Sequence, residues 1–305
     1  MKELQVDEWK ILEGLRSRFL RAEEEIAPYW NSEHELEIYA ETLAQRISWK
    51  IQSVLSDLKM ASWNFAGDSF IDFGCGSGIM SETFLENFED IQSVHLFDHS
   101  RIATEYAKKR LLEKWPKLRV STYTEPGALP GGHFILGSHF LGELPDKQFS
   151  ILMSLLELSS GFLIVEAGTK IHSTKLAKLR EYFKRSYEII GPCPHSEKCP
   201  MLTQEKHWCH NFAHAPSSVF QDGNWAEFAK RLKIDLRTLP YSFLAMEKNA
   251  TPQKSQHHIG RARVYKGYVS TLWCTPEGTL EEKDFSKSKD KADFKRFKKD
   301  PSSTR

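Results

Sequence analysis

The apolar positions of the first 60 residues recur at helical intervals. Leu4, Trp9, Leu12, Leu15 and Phe19 fall on one stripe, and Leu36, Tyr39, Leu43, Ile47, Ile51, Val54, Leu55 and Leu58 on another. Pro28 separates the stripes, and Asn31 or Ser32 offers a side-chain cap to the second. Residues 1–60 are therefore expected to form a helical cover. From residue 69 the period changes. Short apolar runs at Ser69–Phe73, Ser93–Phe97, His133–Gly137 and Phe162–Glu166 read as strands. Helical patterns at Met80–Asn87, Ile102–Trp115, Ser150–Ser159 and Thr174–Tyr187 alternate with them. Such alternation predicts an α/β, doubly wound, Rossmann-like parallel sheet covered on both faces.

Residues 190–215 break this rhythm with prolines, cysteines, histidines and Trp208. A helix at Trp225–Leu232 and strands at Tyr241–Met246 and Val264–Trp273 are expected beyond them. This divides the chain into a helical region over 1–60, one domain over 61–250 with a cysteine-rich insertion at 190–215, and strands over 251–285 that complete the sheet. Residues 286–305 form a lysine-rich tail, poor in apolar residues and expected to be disordered, or helical only when bound.

Charge adds to this division. The 305 residues carry a net charge of only +1, but residues 1–167 sum to −10 and residues 168–305 to +11. A split of this size points to a polyanion-binding half. No apolar run approaches the roughly 20 residues that span a bilayer, so no membrane role is expected. The first 20 residues lack the apolar core of a secretory signal and the acid-poor character of a transit peptide. A bacterial cytoplasm is thus the expected setting, and a mitochondrial matrix less so. In a reducing compartment the five cysteines are not expected to form disulfides.

The turn Asp72-Phe73-Gly74-Cys75-Gly76-Ser77-Gly78 lies between a strand and a helix. Glycines Gly74, Gly76 and Gly78 suit a tight turn whose backbone lies against a ligand. Asp98 ends the next strand, where a carboxylate can accept hydrogen bonds from ribose hydroxyls. The spacing is Gly-x-Gly-x-Gly, not the dinucleotide fingerprint. It resembles the first motif of class I S-adenosylmethionine-dependent methyltransferases, which implies that Asp72 lies near the methionine amino end and Asp98 holds the ribose. Cys75 reads as a small apolar residue at a crowded turn.

Cys193, Cys199 and Cys209, flanked by Pro192, Pro194 and Pro200, form a second constellation. Thiolates are soft ligands for zinc or iron–sulfur centres. Three cysteines need a fourth ligand, and Cys274, His195, His207 and His210 are the candidates. Pairs two to four residues apart, usual in zinc fingers, are absent; the wider spacing suits a bulkier cluster. Zinc remains the alternative.

Together, the two constellations resemble the small-ribosomal-subunit methyltransferase-like family of mitochondrial ribosome assembly factors and their bacterial relatives. Cys-Pro-His-x3-Cys-Pro followed by Trp-Cys-His, from Cys193 to His210, carries the resemblance. Ser138–Leu144, Glu166–Thr169, Tyr241–Leu244 and Gly267–Gly278 agree with it in order. The resemblance implies a class I methyltransferase fold, a four-iron, four-sulfur cluster on Cys193, Cys199, Cys209 and Cys274, and binding to small-subunit ribosomal RNA. A monomer is expected.

The chemistry stays open between an assembly factor that binds RNA and S-adenosylmethionine, an active ribosomal RNA methyltransferase, and a small-molecule or protein methyltransferase with a structural metal site. Ser138-His139-Phe140 stands where amino-directed methyltransferases carry Asn/Asp-Pro-Pro-aromatic, so no catalytic residue is assigned. His139 and Glu143 are acid–base candidates, with packing or capping the commoner role for such a histidine. For RNA, the expected contacts are Arg261, Arg263 and Lys266 beside His257, His258 and Tyr265, and Lys295 and Arg296 in the tail. Phe294 and Phe297 lie among the tail's basic residues. Basic groups neutralise phosphates and aromatic rings stack on bases.

Overall fold

The computed structural model describes residues 1–21, 30–252 and 255–302. Pro28 and the last three residues of the tail lie outside them. The N-terminal cover consists of α1 (Val6–Arg21), α2 (Glu33–Glu41) and α3 (Leu43–Met60). Ser32 caps α2 by accepting a 3.2 Å hydrogen bond from the Glu35 amide. The second stripe is broken at Thr42, whose hydroxyl donates to the Ile38 carbonyl. A side chain bonded back to the preceding turn competes with helix propagation, so one periodic stripe is split into two helices.

The central unit runs β1 (Ser69–Phe73), α4 (Ile79–Leu85), β2 (Ser93–Phe97), α5 (Arg101–Lys114), β3 (Arg119–Tyr123) and β4 (Phe134–Ser138). It continues through α6 (Asp146–Leu158), β5 (Gly161–Ala167), α7 (Lys170–Phe183), β6 (Glu188–Gly191), β7 (Asn211–Ala213), α8 (Gly223–Leu232) and β8 (Leu239–Glu247). The strands are ordered β3-β2-β1-β4-β5-β8-β6, with β7 also paired to β8. Pairings from β3 to β5 are parallel, and β8 runs antiparallel to β5, β6 and β7. The expected doubly wound sheet is therefore mostly parallel, with an antiparallel strand wedged beside β5.

Strand alternation sorts the core onto two faces. Phe70, Phe134, Leu136, Leu163 and Val165 pack with α1 to α5 and α8. Ile71, Ile135, Phe162 and Ile164 face the other way, against α6 and α7. Strand β3 has no matching expectation, because its segment Arg-Val-Ser-Thr-Tyr is half-exposed at the sheet edge and carries no apolar run.

Residues 251–285 do not complete this sheet. They build a separate antiparallel sheet in the order β11-β10-β9, from β9 (His257–Val264), β10 (Tyr268–Cys274) and β11 (Leu280–Ser286). The single strand expected over Val264–Trp273 is a hairpin turning at Tyr265–Gly267. The disorder expected for 286–305 is also corrected, since α9 (Lys291–Lys299) packs on this sheet. Phe294 and Phe297 supply its apolar side, with Phe297 fully buried against His258 and Phe285. Two aromatics three residues apart share one helix face and anchor a segment whose composition alone reads as unfolded.

Candidate functional site

The glycine turn sits where strand order reverses direction, between β1 and its neighbours β2 and β4, the usual ligand crevice of such sheets. Gly74, Gly76 and Gly78 take φ of +76°, +51° and +78°, conformations that other residues rarely adopt. A β-carbon on Gly78 would lie 3.0 Å from the Ala107 methyl, whereas one on Gly76 would meet nothing within 4 Å. The turn is thus pinned against α5 at one end and open at its centre. Cys75 is buried and its thiol is raised well above the usual range by burial. It packs at the turn.

Asp72 is 0% exposed. Its Oδ2 accepts from the Ser81 amide at 3.1 Å and the Ser81 hydroxyl at 2.6 Å, but its Oδ1 has no hydrogen-bond partner. Burial pushes this carboxyl up to about 7. An orphaned buried carboxylate oxygen costs free energy unless a donor, best a cationic one, meets it. Asp98, at the end of β2, accepts from the Gly76 amide at 3.0 Å and the Ser100 amide at 2.9 Å. It ties the turn to the second strand, and burial raises its pKa. This donor and acceptor pattern fits a ligand with an amino group at one end and vicinal hydroxyls at the other. S-adenosylmethionine has both.

The four cysteines of the second constellation converge. Cys193, Cys199 and Cys209, from the segments around β6 and β7, and Cys274, from the end of β10, line one cavity of about 40 Å³. None is in a disulfide. His195 also lines it, with Nε2 3.2 Å from Cys274 Sγ. Arg180 is 1% exposed and donates through Nε to Cys193 Sγ at 3.2 Å. Its other nitrogens donate to the His195 carbonyl at 2.6 Å and the Glu197 carbonyl at 2.9 Å. Burial drives the thiols up, Cys193 to about 11 and Cys274 to about 12, and Cys209 is raised well above the usual range. Among the described residues no group of three or more His, Cys, Asp or Glu side chains is arranged about a point as ligands of a metal ion. The sulfurs instead surround a space, with a fixed guanidinium beside them. Four soft donors and one buried cation thus line a single cavity.

The basic residues lie on the small sheet and α9. Arg261, Arg263, Lys266 and Lys295 are exposed and Arg296 is half-buried. Arg261 stacks 4.5 Å over the Phe212 ring, Arg263 pairs with Glu282 at 2.7 Å, and Arg296 pairs with Asp293 at 2.9 Å. Phe294, Phe297 and His258 are core residues and cannot stack on bases. Among the described residues of the small sheet and α9, the exposed aromatics are Tyr265 and Tyr268, stacked on each other at 4.5 Å across the hairpin turn. Tyr268 carries no separate sequence signal, because the run from Val264 to Trp273 hides the turn between β9 and β10.

His139, just beyond β4, takes a φ of +56°, and its Nε2 lies 3.3 Å from Lys50 Nζ on α3. Lys50 was not expected here. Its signal was a lysine on the apolar stripe between Ile47 and Val54.

No curated protein sequence matches the chain. Among solved structures it is similar to a plantazolicin methyltransferase in complex with S-adenosylhomocysteine (TM-score 0.44, 14% identity, 81% of this chain and 100% of that one). It is also similar to a Synechocystis magnesium protoporphyrin IX methyltransferase with bound S-adenosylmethionine (0.41, 13%, 81% and 100%). A third likeness is a putative RNA methyltransferase from Pyrococcus horikoshii (0.40, 12%, 64% and 84%). These likenesses are distant, and the fold is read from the strand order instead. The family match is of another order: a profile described as mitochondrial small ribosomal subunit Rsm22 spans residues 35–301, and the chain belongs to that family.

Proposed function

We propose that this protein binds S-adenosylmethionine at the glycine turn and acts on the small ribosomal subunit through its RNA, in assembly or translation. The observation that carries the cofactor reading is Asp72 Oδ1, a buried carboxylate oxygen without a donor beside an open glycine turn. The family membership supports the partner. Arg261, Arg263, Lys266, Lys295 and Arg296, with Tyr265 and Tyr268, make the RNA-facing surface, and the concentration of positive charge in residues 168–305 agrees with it. A mitochondrial matrix fits the family name, and a bacterial cytoplasm fits its relatives. No helix of the described residues is long and apolar enough to cross a membrane. The working unit is a monomer.

The cysteine cavity belongs to the same reading. Cys193, Cys199, Cys209 and Cys274 would hold a four-iron, four-sulfur cluster, and Arg180 would offset its negative charge. The cluster when bound supplies a covalent tie between chain segments, since metal binding and folding are coupled. Cys199 is further fixed by its amide donating to Glu181 at 3.0 Å. Anaerobically purified protein is expected to be brown, with about four irons and four sulfides per chain. Colourless protein with one zinc would replace the cluster by a zinc site.

The cofactor reading is tested by calorimetry. The parent binds S-adenosylmethionine, and Asp72→Asn, which keeps the size and loses the charge, weakens binding at least tenfold, or about 1.4 kcal/mol. Equal affinity of parent and variant would sink the assignment of Asp72.

A further inference from the structure

We infer that Lys50 is the proton acceptor of a methyl-transfer site which it shares with His139 at the β4 side of the glycine turn, acting on an N–H or O–H group of RNA. The inference rests on the reading of that turn as an S-adenosylmethionine site. Lys50 is 5% exposed and lies on the apolar stripe of α3. A lysine so buried is rare, and burial of its charge is costly unless the charge is paired. Here the amine meets an imidazole nitrogen at 3.3 Å.

The imidazole is held in a strained place. His139 is in the left-handed region, which is costly for a residue with a β-carbon and persists only where surroundings enforce it. They do so here. The His139 amide donates to the Val165 carbonyl at 2.9 Å. Glu166 on β5, 0% exposed, accepts from the Phe140 amide at 2.9 Å and the Leu141 amide at 3.0 Å through Oε1. Its Oε2 makes no hydrogen bond and lies 3.8 Å from His172 Nε2. Glu166 is a positioning residue for the His139 loop.

This loop touches the cofactor turn. A β-carbon on Gly74 would come within 3.2 Å of Phe140 Cβ, so the chain after His139 lies on the turn itself. Asp98 marks the β2 side of the turn and β4 lies on the opposite side of β1. A ligand held at both Asp98 and Asp72 would lie along the turn that the His139 loop touches, and Lys50 and His139 are the buried basic groups on that loop's side.

The proton balance needs a base. As the acceptor nitrogen or oxygen bonds the methyl carbon, the carbon–sulfur bond breaks, its electron pair stays on sulfur, and the acceptor's proton passes to the neutral Lys50 amine. Burial holds Lys50 down to about 7, helped by Arg46 on its own helix and opposed by Glu166. Burial, with Lys50, Arg46 and His172 around it, keeps His139 well below the usual imidazole range. The imidazole is therefore neutral and orients the amine, and the amine carries the proton. A general base with a pKa near the working pH is the efficient choice.

Two measurements test this. Proton exchange on ligand binding is counted by calorimetry at pH 7 in buffers of different ionisation enthalpy. The cationic S-adenosylmethionine should release up to roughly half a proton more than neutral S-adenosylhomocysteine, because the sulfonium drives the ammonium of Lys50 to deprotonate. Lys50→Met should abolish that difference while holding S-adenosylmethionine affinity within threefold. Transfer of labelled methyl to small-subunit particles should fall at least 100-fold in Lys50→Met and in Lys50→Arg, whose guanidinium keeps its proton. Equal proton release for the two ligands, or a variant as fast as the parent, would overturn the proposal. So would a parent that binds S-adenosylmethionine but transfers no methyl group, which leaves the cofactor reading standing. A parent that binds neither ligand instead removes the cofactor reading.

Discussion

Three buried ionisable side chains near the glycine turn give the protein a pH signature. Asp72 and Glu166 are both pushed up to about 7 by burial, above their values in an unfolded chain. For an acid raised on folding, the native state binds the proton more tightly. Stability is then highest below the unfolded pKa and falls as pH rises toward 7. Lys50 is a base lowered to about 7, so the unfolded chain binds more protons between about 7 and 10.5, and stability rises with pH across that window. Lys50→Met should remove that rise. Thermal melts of parent and variant between pH 7 and 9.5 check it: the parent's Tm climbs with pH relative to the variant's. A constant offset would mean that Lys50 is charged when folded. These groups were only partly legible in the sequence. Asp72 was found through its turn, because glycine spacing is a local signal. Glu166 appeared only inside a matched segment and Lys50 only as a flaw in a helical stripe, since their meeting depends on how α3 crosses the sheet.

The same contrast between local and distant information holds for whole elements. Strands β1 and β2 have the expected bounds because both are apolar runs buried in a parallel sheet. The small sheet is less legible, since β9 to β11 are rich in polar residues and their apolar groups are divided between the cysteine cavity on one face and α9 on the other. Helix α9 was misread because two phenylalanines hold a segment rich in lysine. Phe297→Ala should therefore cost about 3 kcal/mol of the small sheet's stability. Hydrogen exchange should rise in β9, β10 and α9 while β1 and β4 stay protected. Uniform loss of protection would show that the two sheets melt as one. On the exposed side, Tyr265→Ala and Tyr268→Ala should each weaken small-subunit RNA binding by about 1–3 kcal/mol without changing its salt dependence. Lys295→Ala should reduce the slope of log affinity against log salt by about 0.7 to 0.9. A tyrosine variant that binds RNA like the parent would remove the stacking role.

Across the whole molecule, the neutral net charge conceals a division of labour. The acidic part carries the helical cover and most of the large sheet, and the basic part carries the cysteine cavity and the small sheet. The cavity lies at the seam between the two sheets. Gly260 of β9 donates its amide to the His210 carbonyl at 2.9 Å, and a β-carbon on it would fall 2.9 Å from the His210 ring. Cys274→Ser should leave the large sheet folded and loosen the small one. Limited proteolysis should then cut near residue 250 in the variant and not in the metal-loaded parent. Equal resistance would show that sheet packing alone holds the seam. That four cysteines would share one cavity was legible from the family resemblance. Which of their neighbours would be a buried arginine was not, because Arg180 sits on a helix that reads as an ordinary amphipathic one.

The position of Cys274 also sets an order of events during synthesis. Three of the sulfurs are made by residue 209, but the fourth follows 64 intervening residues later. Until β10 leaves the ribosome, Cys193, Cys199 and Cys209 face an open side, and nothing in the chain can close it. The cavity is thus completed only once the strands of the small sheet have joined those of the large one. A nascent chain can therefore form the large sheet before β10 seals the seam, so a full set of four sulfurs there reports that the small sheet has been made.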